Sequence, residues 1–371
     1  MSWAKFHAES ERLAIAAQFA LRTGDVVLSN DLYNQAALKE REALEVLDDS
    51  KLRTKGITLV SAVSLWFKAG EYESAERLAH AALAQEQLPD FSREQLRNLI
   101  QAIWTESVKK EAKVTFMPGQ VLVSVKGGEV VTGGAPLDLI VDKVQTIQSI
   151  FYRAIEHLQG VSHRRAGPPS KDLQDSCRPW LFQSAPGSYQ FSVAIQQPVQ
   201  TDFFKEGVEP SRVAQHFLEI ISATTDGEGE RLANLVEDKD YRTTFLKLAR
   251  NLAPTGKTFE QIDLRGSGEI KSLSLNTESR NTINSQLKKI TYLPPDQALP
   301  AEELFGTLRA VDLDKNWLDI TVDGASIHIE GLQDAVDDVI GPMVNRSVIV
   351  KAVRSTSKRS KYKFIDIELA D

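Results

Sequence analysis

The apolar positions of the first 112 residues recur at every third or fourth residue, the spacing of helices that bury one face. Gly24 and Gly70 stand between periodic segments, and the first proline of the chain is Pro89. A glycine between two helical segments is typical of the turn in a helical hairpin. The pattern therefore predicts antiparallel helical hairpins and an all-helical domain over residues 1–112.

After Lys113 the apolar positions alternate with a period of two. Three valines carry this alternation and predict a strand: Val121, Val123 and Val125. Gly127–Gly128 predicts a hairpin turn into a second short strand, and Pro136 stands where a proline often opens a helix. An apolar stripe over residues 137–158 then predicts one long amphipathic helix.

Strand and helix patterns continue as far as residue 292. Helices are predicted at about residues 211–224 and 239–252, and a last helix is expected with Thr277 as its cap. GSYQFSVAIQQP predicts a strand, and TFEQIDLRGSGEIKSLSLN predicts two strands about a Gly-Ser-Gly turn. Adjacent strand pairs with helices between them favour an α+β sheet of mixed or antiparallel pairing over a doubly wound one. We expect an α+β domain over residues 113–292.

Residues 301–371 predict a small β module. Strands are expected at about residues 305–311, 316–322 and 325–330, with Asp323-Gly324 as a tight turn, and two more in SVIVKAVR and KYKFIDIEL. A short helix fits DAVDDVIGPMV. Five short strands and one helical turn are the elements of a small OB-like or SH3-like barrel, and both topologies stay open. The fold class expected for the whole chain is therefore multidomain α+β.

The segment LWFKAGEYESAERLAHAAL spaces an aromatic, a turn glycine, a second aromatic and three alanines as follows: Trp66, Gly70, Tyr72, Ala75, Ala79 and Ala82. A fainter copy, with Ser29 where an alanine is usual, contains Leu13, Ala17, Gly24, Tyr33 and Ala36. This spacing resembles a tetratricopeptide (TPR) repeat. The two glycines lie 46 residues apart, more than the roughly 34 of that family, so longer helices are expected.

The resemblance to TPR proteins covers about a third of the chain and implies a scaffold that binds another protein or peptide in a concave face. It carries over no catalytic residue. The aromatic residues Trp66, Tyr72 and Tyr33 are the candidates for partner contact. A third helical segment opens with FSREQL, where Ser92 and Gln95 fit a capping box. Because two repeats are fewer than independent stability usually needs, packing against the rest of the chain is the open alternative.

The remainder of the chain resembles uncharacterised bacterial multidomain proteins, some of which belong to conflict or defence systems. That resemblance supplies no site residues. It implies only that a repeat domain is joined to two compact modules.

Composition places the chain among globular proteins, with 42% hydrophobic and 26% charged residues. MSWAKFHAESER lacks the apolar segment of a signal peptide, and no run is long enough to cross a membrane. The single cysteine, Cys177, excludes an intrachain disulfide and a thiolate metal cluster. We expect a cytoplasmic protein that does not bind membranes.

The glycines of GGEVVTGGAPLDLI precede a helix, where free N–H groups can hold a phosphate. A Walker motif is absent, however, and Asp138 in the first helical turn would repel an anion. Gly256-Lys257-Thr258 resembles the end of a Walker motif but does not belong to one, because Asn251 stands where a Walker loop needs glycine and the segment follows a predicted helix. Turn formation is favoured, and an enzyme with its site at Gly133-Gly134 is the weaker alternative.

None of the six histidines forms a recognised metal or catalytic motif, so no cofactor or metal is expected. His80 and His157 are expected in solvent. His163 stands beside Arg164 and Arg165 in SHRRAGPPSKD, which is a loop by composition. Cys177 has no histidine near it in sequence and is not expected to act as a nucleophile. An exposed helix face is expected to carry three acids: Asp334, Asp337 and Asp338.

The net charge of −7 argues against a chain coated in nucleic acid. Residues 301–350 hold three basic and ten acidic side chains, whereas residues 351–363 hold six basic and none acidic. Anion or nucleic-acid contact is therefore assigned to six cations: Arg164, Arg165, Lys358, Arg359, Lys361 and Lys363. The alternative is that these lysines only protect an edge strand from pairing with other chains.

Three functional hypotheses follow from these patterns. The first is a non-enzymatic interaction or scaffold protein that recruits another protein or peptide through its helical end, or that forms a homo-oligomer. The second is a nucleic-acid-associated protein that uses the six cations. The third is an enzyme without a recognised catalytic signature. We favour the first, because the repeats are positive evidence for a scaffold, whereas no catalytic motif supports an enzyme.

Overall fold

The computed structural model describes the chain except for residues 1, 49, 112–118, 132–133, 184–188, 198–211, 267–271, 291–300, 333–335, 355–361 and 371. The chain divides into two compact units, residues 1–114 with 182–186 and residues 115–181 with 187–371. The first unit is helical and the second contains both sheets, so the α+β class is confirmed. The division of residues 115–371 into two domains stays a prediction.

The described residues of the first unit, hereafter the helical unit, form five helices: α1 (Trp3–Arg22), α2 (Val26–Glu45), α3 (Leu52–Ala69), α4 (Tyr72–Leu83) and α5 (Asp90–Glu111). The chain turns at the two predicted glycines, whose φ angles are 84° at Gly24 and 77° at Gly70. Glycine adopts this left-handed conformation without steric cost. Asp25 then caps α2, because its carboxylate accepts a 3.0 Å hydrogen bond from the backbone N–H of Leu28.

Small side chains line the helix crossings of the helical unit. Eight alanines among the described residues of this unit have no exposed surface: Ala17, Ala36, Ala37, Ala43, Ala62, Ala75, Ala79 and Ala82. Larger residues at those crossings would hold the helices apart. A buried carboxylate ties three helices together, since Glu40 on α2 lies 2.8 Å from His7 on α1 and accepts a 3.1 Å bond from Ser61 on α3. Burial raises the pKa of Glu40, and the charge of His7 opposes that shift.

The predicted capping box at Ser92 is wrong, because α5 begins two residues earlier, at Asp90. The carbonyl of Pro89 accepts from the backbone N–H of Ser92, which places Ser92 inside the first turn. Its side chain is buried against Gly56 of α3, where the absence of a side chain permits close contact. Within the described residues, no helix combines the length and apolar character needed to cross a membrane.

The sheet of the second unit has five strands in the order β2-β3-β1-β4-β5: β1 (Val121–Lys126), β2 (Pro179–Gln183), β3 (Tyr189–Ile195), β4 (Gln261–Arg265) and β5 (Ser272–Leu275). The pairs β1–β3, β1–β4 and β4–β5 are antiparallel, as the paired strand patterns predict. Val121, Val123 and Val125 are fully buried, which explains the alternation along β1.

The same unit contains the helices α6 (Leu137–Leu158), α7 (Lys171–Ser176), α8 (Arg212–Thr224), α9 (Glu230–Leu235), α10 (Lys239–Leu252) and α11 (Thr277–Ile290). Phe151 of α6 stacks on Phe217 of α8 with ring centroids 4.2 Å apart. Thr277 begins α11 but does not cap it. The cap is Asn276, whose side-chain oxygen accepts a 3.0 Å bond from the backbone N–H of Ser279.

The C-terminal module, hereafter the barrel, contains β6 (Ala301–Asp312), β7 (Trp317–Val322), β8 (Ala325–Glu330), α12 (Asp337–Ile340), β9 (Ser347–Arg354) and β10 (Tyr362–Leu369). Each strand pairs with two others, so the five strands close in the order β10-β8-β7-β6-β9. The β8–β10 pair is parallel and the others are antiparallel. Asp323 and Gly324 both have positive φ, as the predicted hairpin turn requires.

Arginine–carboxylate pairs join the helices of the second unit to the barrel. Four connect the two parts: Arg153–Asp338, Arg250–Asp366, Arg280–Glu368 and Arg346–Asp142. The predicted exposed acidic face is therefore wrong for Asp337 and Asp338, whose carboxylates lie against Arg153 and Arg164, while Asp334 lies outside the described residues. Asp337 and Asp338 therefore neutralise buried or half-buried arginines of the same unit.

Candidate functional site

Two of the three aromatic residues assigned to partner contact lie inside the helical unit. Trp66 is 6% exposed and Tyr33 is 4% exposed. The indole N–H of Trp66 donates a 3.1 Å bond to Asn34, which joins α3 to α2. Both rings therefore hold helices together, and little of either ring is accessible from outside.

Tyr72 is the more accessible of the three. It is half-buried at the start of α4, with its ring centroid 5.9 Å from that of Phe67. The ammonium of Lys110 lies 5.9 Å from the same ring, within the range of a cation–π interaction. Burial raises the pKa of the Tyr72 hydroxyl. Its role in binding stays a prediction.

The helical unit carries exposed apolar side chains that the sequence pattern did not single out. Ile15 and Phe19, one turn apart on α1, are 68% and 70% exposed, and Val27 at the start of α2 is 82% exposed. They lie off the buried stripe of Leu13, Ala17 and Ala20. The sequence did contain a signal for this exposure, because these apolar residues lie on the polar side of an amphipathic helix.

Apolar exposure is concentrated in this unit. Of the eighteen large apolar side chains exposed among the described residues, twelve lie within residues 1–114, although that range is less than a third of the chain. Six of the twelve lie on either side of Gly24 in sequence, in the second half of α1 and the first turn of α2: Ile15, Phe19, Leu21, Val26, Val27 and Leu28. We call these six residues the hairpin patch. Large apolar side chains left exposed in such number are typical of a binding site.

A pocket of about 420 Å³ lies elsewhere in the helical unit, between the start of α3 and the α4–α5 connection. Its wall includes Leu52, Leu88 and Pro89. The guanidinium of Arg93 donates to four backbone carbonyls of the connection, those of Leu83, Gln85, Glu86 and Leu88. These bonds fix the shape of the pocket wall.

The glycine pair after β1 turns the chain, as predicted, but no second strand follows it among the described residues up to 131. Beyond the turn only an isolated bridge joins Val131 and Gly134. Gly127 and Gly128 have φ of 77° and 63°, and the backbone N–H of Glu129 donates a 2.9 Å bond to Thr258. β1 pairs with β3 and β4 on its two sides, so no edge remains for a hairpin partner.

Gly128→Ala is expected to lower the free energy of unfolding by about 2–3 kcal/mol. A Cβ at this position would collide with the backbone carbonyl of Thr258, and the left-handed φ adds strain. Gly160→Ala is the matched control, because Gly160 has a φ of 65° and open space around its Cβ position. The control is expected to cost about 1 kcal/mol. Equal losses in urea unfolding of the two variants would contradict the close contact.

The described residues at the start of α6 show no arrangement that would bind a phosphate. Asp138 is exposed in the first turn, where its charge complements the helix N-terminus. Gly133 lies outside the described residues. Gly256 follows α10 and precedes β4, the reverse of the order that a Walker loop requires.

Arg164 and Arg165, assigned to anion contact, bind within the chain. Arg164 lies 3.0 Å from Glu156 and 3.5 Å from Asp338. Arg165 donates two 2.6 Å bonds, one to the side chain of Asn316 and one to the carbonyl of Leu332. The sequence could not show this, because the partners lie up to 174 positions away. We call residues 161–167 the strap, since they connect the helices to the barrel.

Of the four remaining cations of the anion prediction, the structure describes Lys363 alone. Lys363 is exposed within β10. Lys358, Arg359 and Lys361 lie outside the described residues. Their contact with nucleic acid stays a prediction.

The outward surface of β7 and β8 combines aromatic and acidic groups. The rings of Trp317 and His328 lie 5.2 Å apart, and His328 is 2.6 Å from Asp319 and 3.8 Å from Glu330. Carboxylates at this position repel phosphate. The surface therefore favours a neutral or cationic group over a nucleic-acid backbone.

The histidines are distributed in a way that sequence alone did not predict. His80 is exposed, as expected. His157 is half-buried and forms a 3.1 Å contact with His216 of α8, so its predicted solvation is wrong. Cys177 is buried, and burial raises the pKa of its thiol. Within the described residues, no three metal-binding side chains converge.

No family model, curated protein or solved structure matches this chain.

Proposed function

We propose that this chain is a non-enzymatic interaction protein whose helical unit binds a segment of another protein or peptide on the hairpin patch. The observation that carries the proposal is the concentration of exposed apolar side chains in residues 1–114, and above all around Gly24. Burying such a patch releases roughly 25 cal/mol for each Å² of apolar surface. The patch thus provides a driving force for association.

The packing of the helical unit supports a TPR-like scaffold. Hairpins α1–α2 and α3–α4 turn at glycines of the same conformation, and alanines fill their crossings. In the proposed scaffold the stacked helices present one continuous surface to a partner. The pocket beside Leu52 and Leu88, which Lys55 and Glu86 also line, offers a second contact of mixed polarity in the same unit.

Nucleic-acid binding through the barrel is the second candidate, and the strand order favours it. The ring β6-β7-β8-β10-β9, with a parallel β8–β10 pair and α12 between β8 and β9, supports an OB-like topology for this barrel. Such barrels bind oligonucleotides on the face of their second and third strands. The acids Asp319 and Glu330 on that face count against it. Salt-sensitive binding of single-stranded DNA that Lys363→Glu weakens would favour this candidate.

The double substitution Ile15→Glu with Phe19→Glu tests the proposal. Two charges in the centre of an apolar contact are expected to weaken partner binding at least about 30-fold, the loss of an interface hot spot. Affinity purification of the full-length chain, with quantitative mass spectrometry, measures the bound protein. Sedimentation velocity measures self-association, because a second copy of the chain is one of the partners that the patch could bind.

Leu137→Glu with Val141→Glu is the matched control. These residues also lie one turn apart on a helix, and they are 78% and 45% exposed. They belong to the second unit, so the control is expected to bind like the unmodified chain. Equal binding by the two double variants would exclude the hairpin patch as the site.

A further inference from the structure

Two histidines of the second unit share a hydrogen bond in its interior. Nδ1 of His157 on α6 lies 3.1 Å from Nε2 of His216 on α8, and the rings stack with centroids 5.3 Å apart and an angle of 9°. His216 is 5% exposed. A bond between two ring nitrogens needs one N–H and one bare nitrogen. Protonation of both rings would therefore set two donors and two charges against each other.

Tyr241 connects this pair to the strap. Its ring meets His157 edge-on at 5.3 Å and His163 edge-on at 5.0 Å. Its hydroxyl donates a 2.9 Å bond to the carbonyl of Val161, and Nε2 of His163 lies 2.9 Å from the hydroxyl of Thr244. One end of the strap is thus held on α10 by a neutral histidine and a neutral tyrosine.

The other end of the strap is held on the barrel. The carboxylate of Asp337 accepts a 2.7 Å bond from the backbone N–H of Gly167, and the N–H of Asp337 donates to the carbonyl of Arg165. The side chain of Arg165 binds Asn316 and Leu332 as described above. Movement of the strap would therefore break contacts to both the helices and the barrel.

We propose that the strap and the three histidines beside it, His157, His163 and His216, form an acid-sensitive joint between the helices and the barrel. At neutral pH the histidines are uncharged and the joint is closed. Added protons charge them in a site that already contains the cations Arg153 and Arg164. The joint then opens, because opening gives the charged rings access to water.

The charged groups around the histidines agree with this direction. Burial lowers the pKa of His216 to about 4, and the charges of His157 and Arg212 act in the same direction. Burial lowers the pKa of His157, and the charge of Asp238 opposes that shift. The remaining groups facing the cluster include an acid near His216, Glu219, and two acids that oppose the shift of His163, Asp240 and Asp238.

Burial first, and then Arg153 and Arg164, lower the pKa of His163. The sign of the effect follows from these lowered values. An opened state with ordinary histidines, of pKa about 6.5, binds more protons than the closed state below that pH. Stability of the closed joint is therefore complete above about pH 6.5 and is lost as the pH falls toward 4. Asp337 acts in the opposite direction, because burial and the charge of Asp338 raise its pKa.

Hydrogen exchange of the full-length chain tests the joint. Exchange is measured by mass spectrometry near pH 7.5 and near pH 5 and is corrected for the intrinsic rate at each pH. We expect the opening equilibrium of peptides over residues 161–167 and 212–224 to increase on the order of tenfold at the lower pH. Peptides from β7 and β8 are expected to stay protected, which distinguishes local opening from unfolding of the unit.

His216→Gln removes one titrating ring and keeps a polar side chain, so the increase at low pH is expected to shrink several-fold. His163→Gln is the second variant and gives the same expectation where the first does not fold. His80→Gln on the exposed face of α4 is the control and retains the full increase. Protection of residues 161–167 that is equal at both pH values in the unmodified chain overturns the proposal. So does an undiminished increase in the folded glutamine variants.

Discussion

Arg250→Met is expected to lower the free energy of unfolding of the second unit by about 3–5 kcal/mol, the largest effect of any single substitution considered. Arg250 is 1% exposed and binds both carboxylate oxygens of Asp366 and the carbonyl of Ile367. Burial alone would raise the pKa of Asp366, but the charge of Arg250 keeps it below its ordinary value. Removing the arginine leaves that carboxylate buried without its cation.

Urea unfolding of the full-length chain, followed by hydrogen exchange of peptides from α10 and β10, measures this loss. Asp366→Leu combined with Arg250→Met is expected to recover most of the stability, because the double variant contains no unpaired buried charge. Arg354→Met is the control. It breaks an equally short pair, 2.6 Å from Glu302, whose arginine side chain is 69% exposed, and it is expected to cost less than about 1 kcal/mol. Similar losses for Arg250 and Arg354 would contradict the importance of burial.

Arg153→Met is expected to cost about 3 kcal/mol and to loosen the strap as well. Arg153 has no exposed surface and lies 2.6 Å from Asp338 of the barrel and 3.7 Å from Glu156. It also donates to the carbonyl of Arg164 in the strap. Without it, three carboxylates in this cluster face a single arginine: Glu156, Asp337 and Asp338.

The measurement for Arg153 is hydrogen exchange near neutral pH, read on peptides of the strap and of α12. Both are expected to lose protection together. Arg309→Met is the control, because Arg309 is exposed on β6 and its guanidinium donates a 3.0 Å bond to the uncharged side chain of Asn345. Unchanged protection of the strap in a folded Arg153→Met variant would show that the ion pairs do not couple the two parts.

The element order was largely predictable from the sequence. Alternation along Val121–Lys126 and the stripe over residues 137–158 each arise from one buried face, so periodicity identified β1 and α6. The strands of the barrel were found for the same reason, and positive φ at Asp323 and Gly324 follows from their turn chemistry. Helix starts were less predictable, since the cap Asn276 and the first helical residue Asp90 lie among equally polar neighbours.

The long-range contacts were not predictable in the same way. Arg164 and Arg165 form a basic dipeptide in a polar loop, which in sequence is typical of an anion site. Their partners Asp338 and Asn316 come from a module more than 150 residues away. Local composition cannot show which charges a fold brings together, so the neutralisation of these cations required the structure.

The candidate site was missed for a different reason. Ile15 and Phe19 belong to a helix whose buried face is already supplied by Leu13, Ala17 and Ala20. The resemblance to TPR repeats instead selected Trp66 and Tyr33 as partner contacts, and both are packed inside. The available signal was that α1 contains more large apolar residues than its buried face can accommodate.

Photo-crosslinking from position 19 tests the central claim most directly. Benzoylphenylalanine replaces Phe19 in one full-length variant and Leu137, which is comparably exposed, in a control variant. Irradiation in the protein's native cells is expected to join position 19 to one dominant protein species, either another protein or a second copy of this chain, and position 137 to none. Absence of a dominant adduct at position 19, or the same adduct from both positions, would contradict a partner-binding role for the hairpin patch.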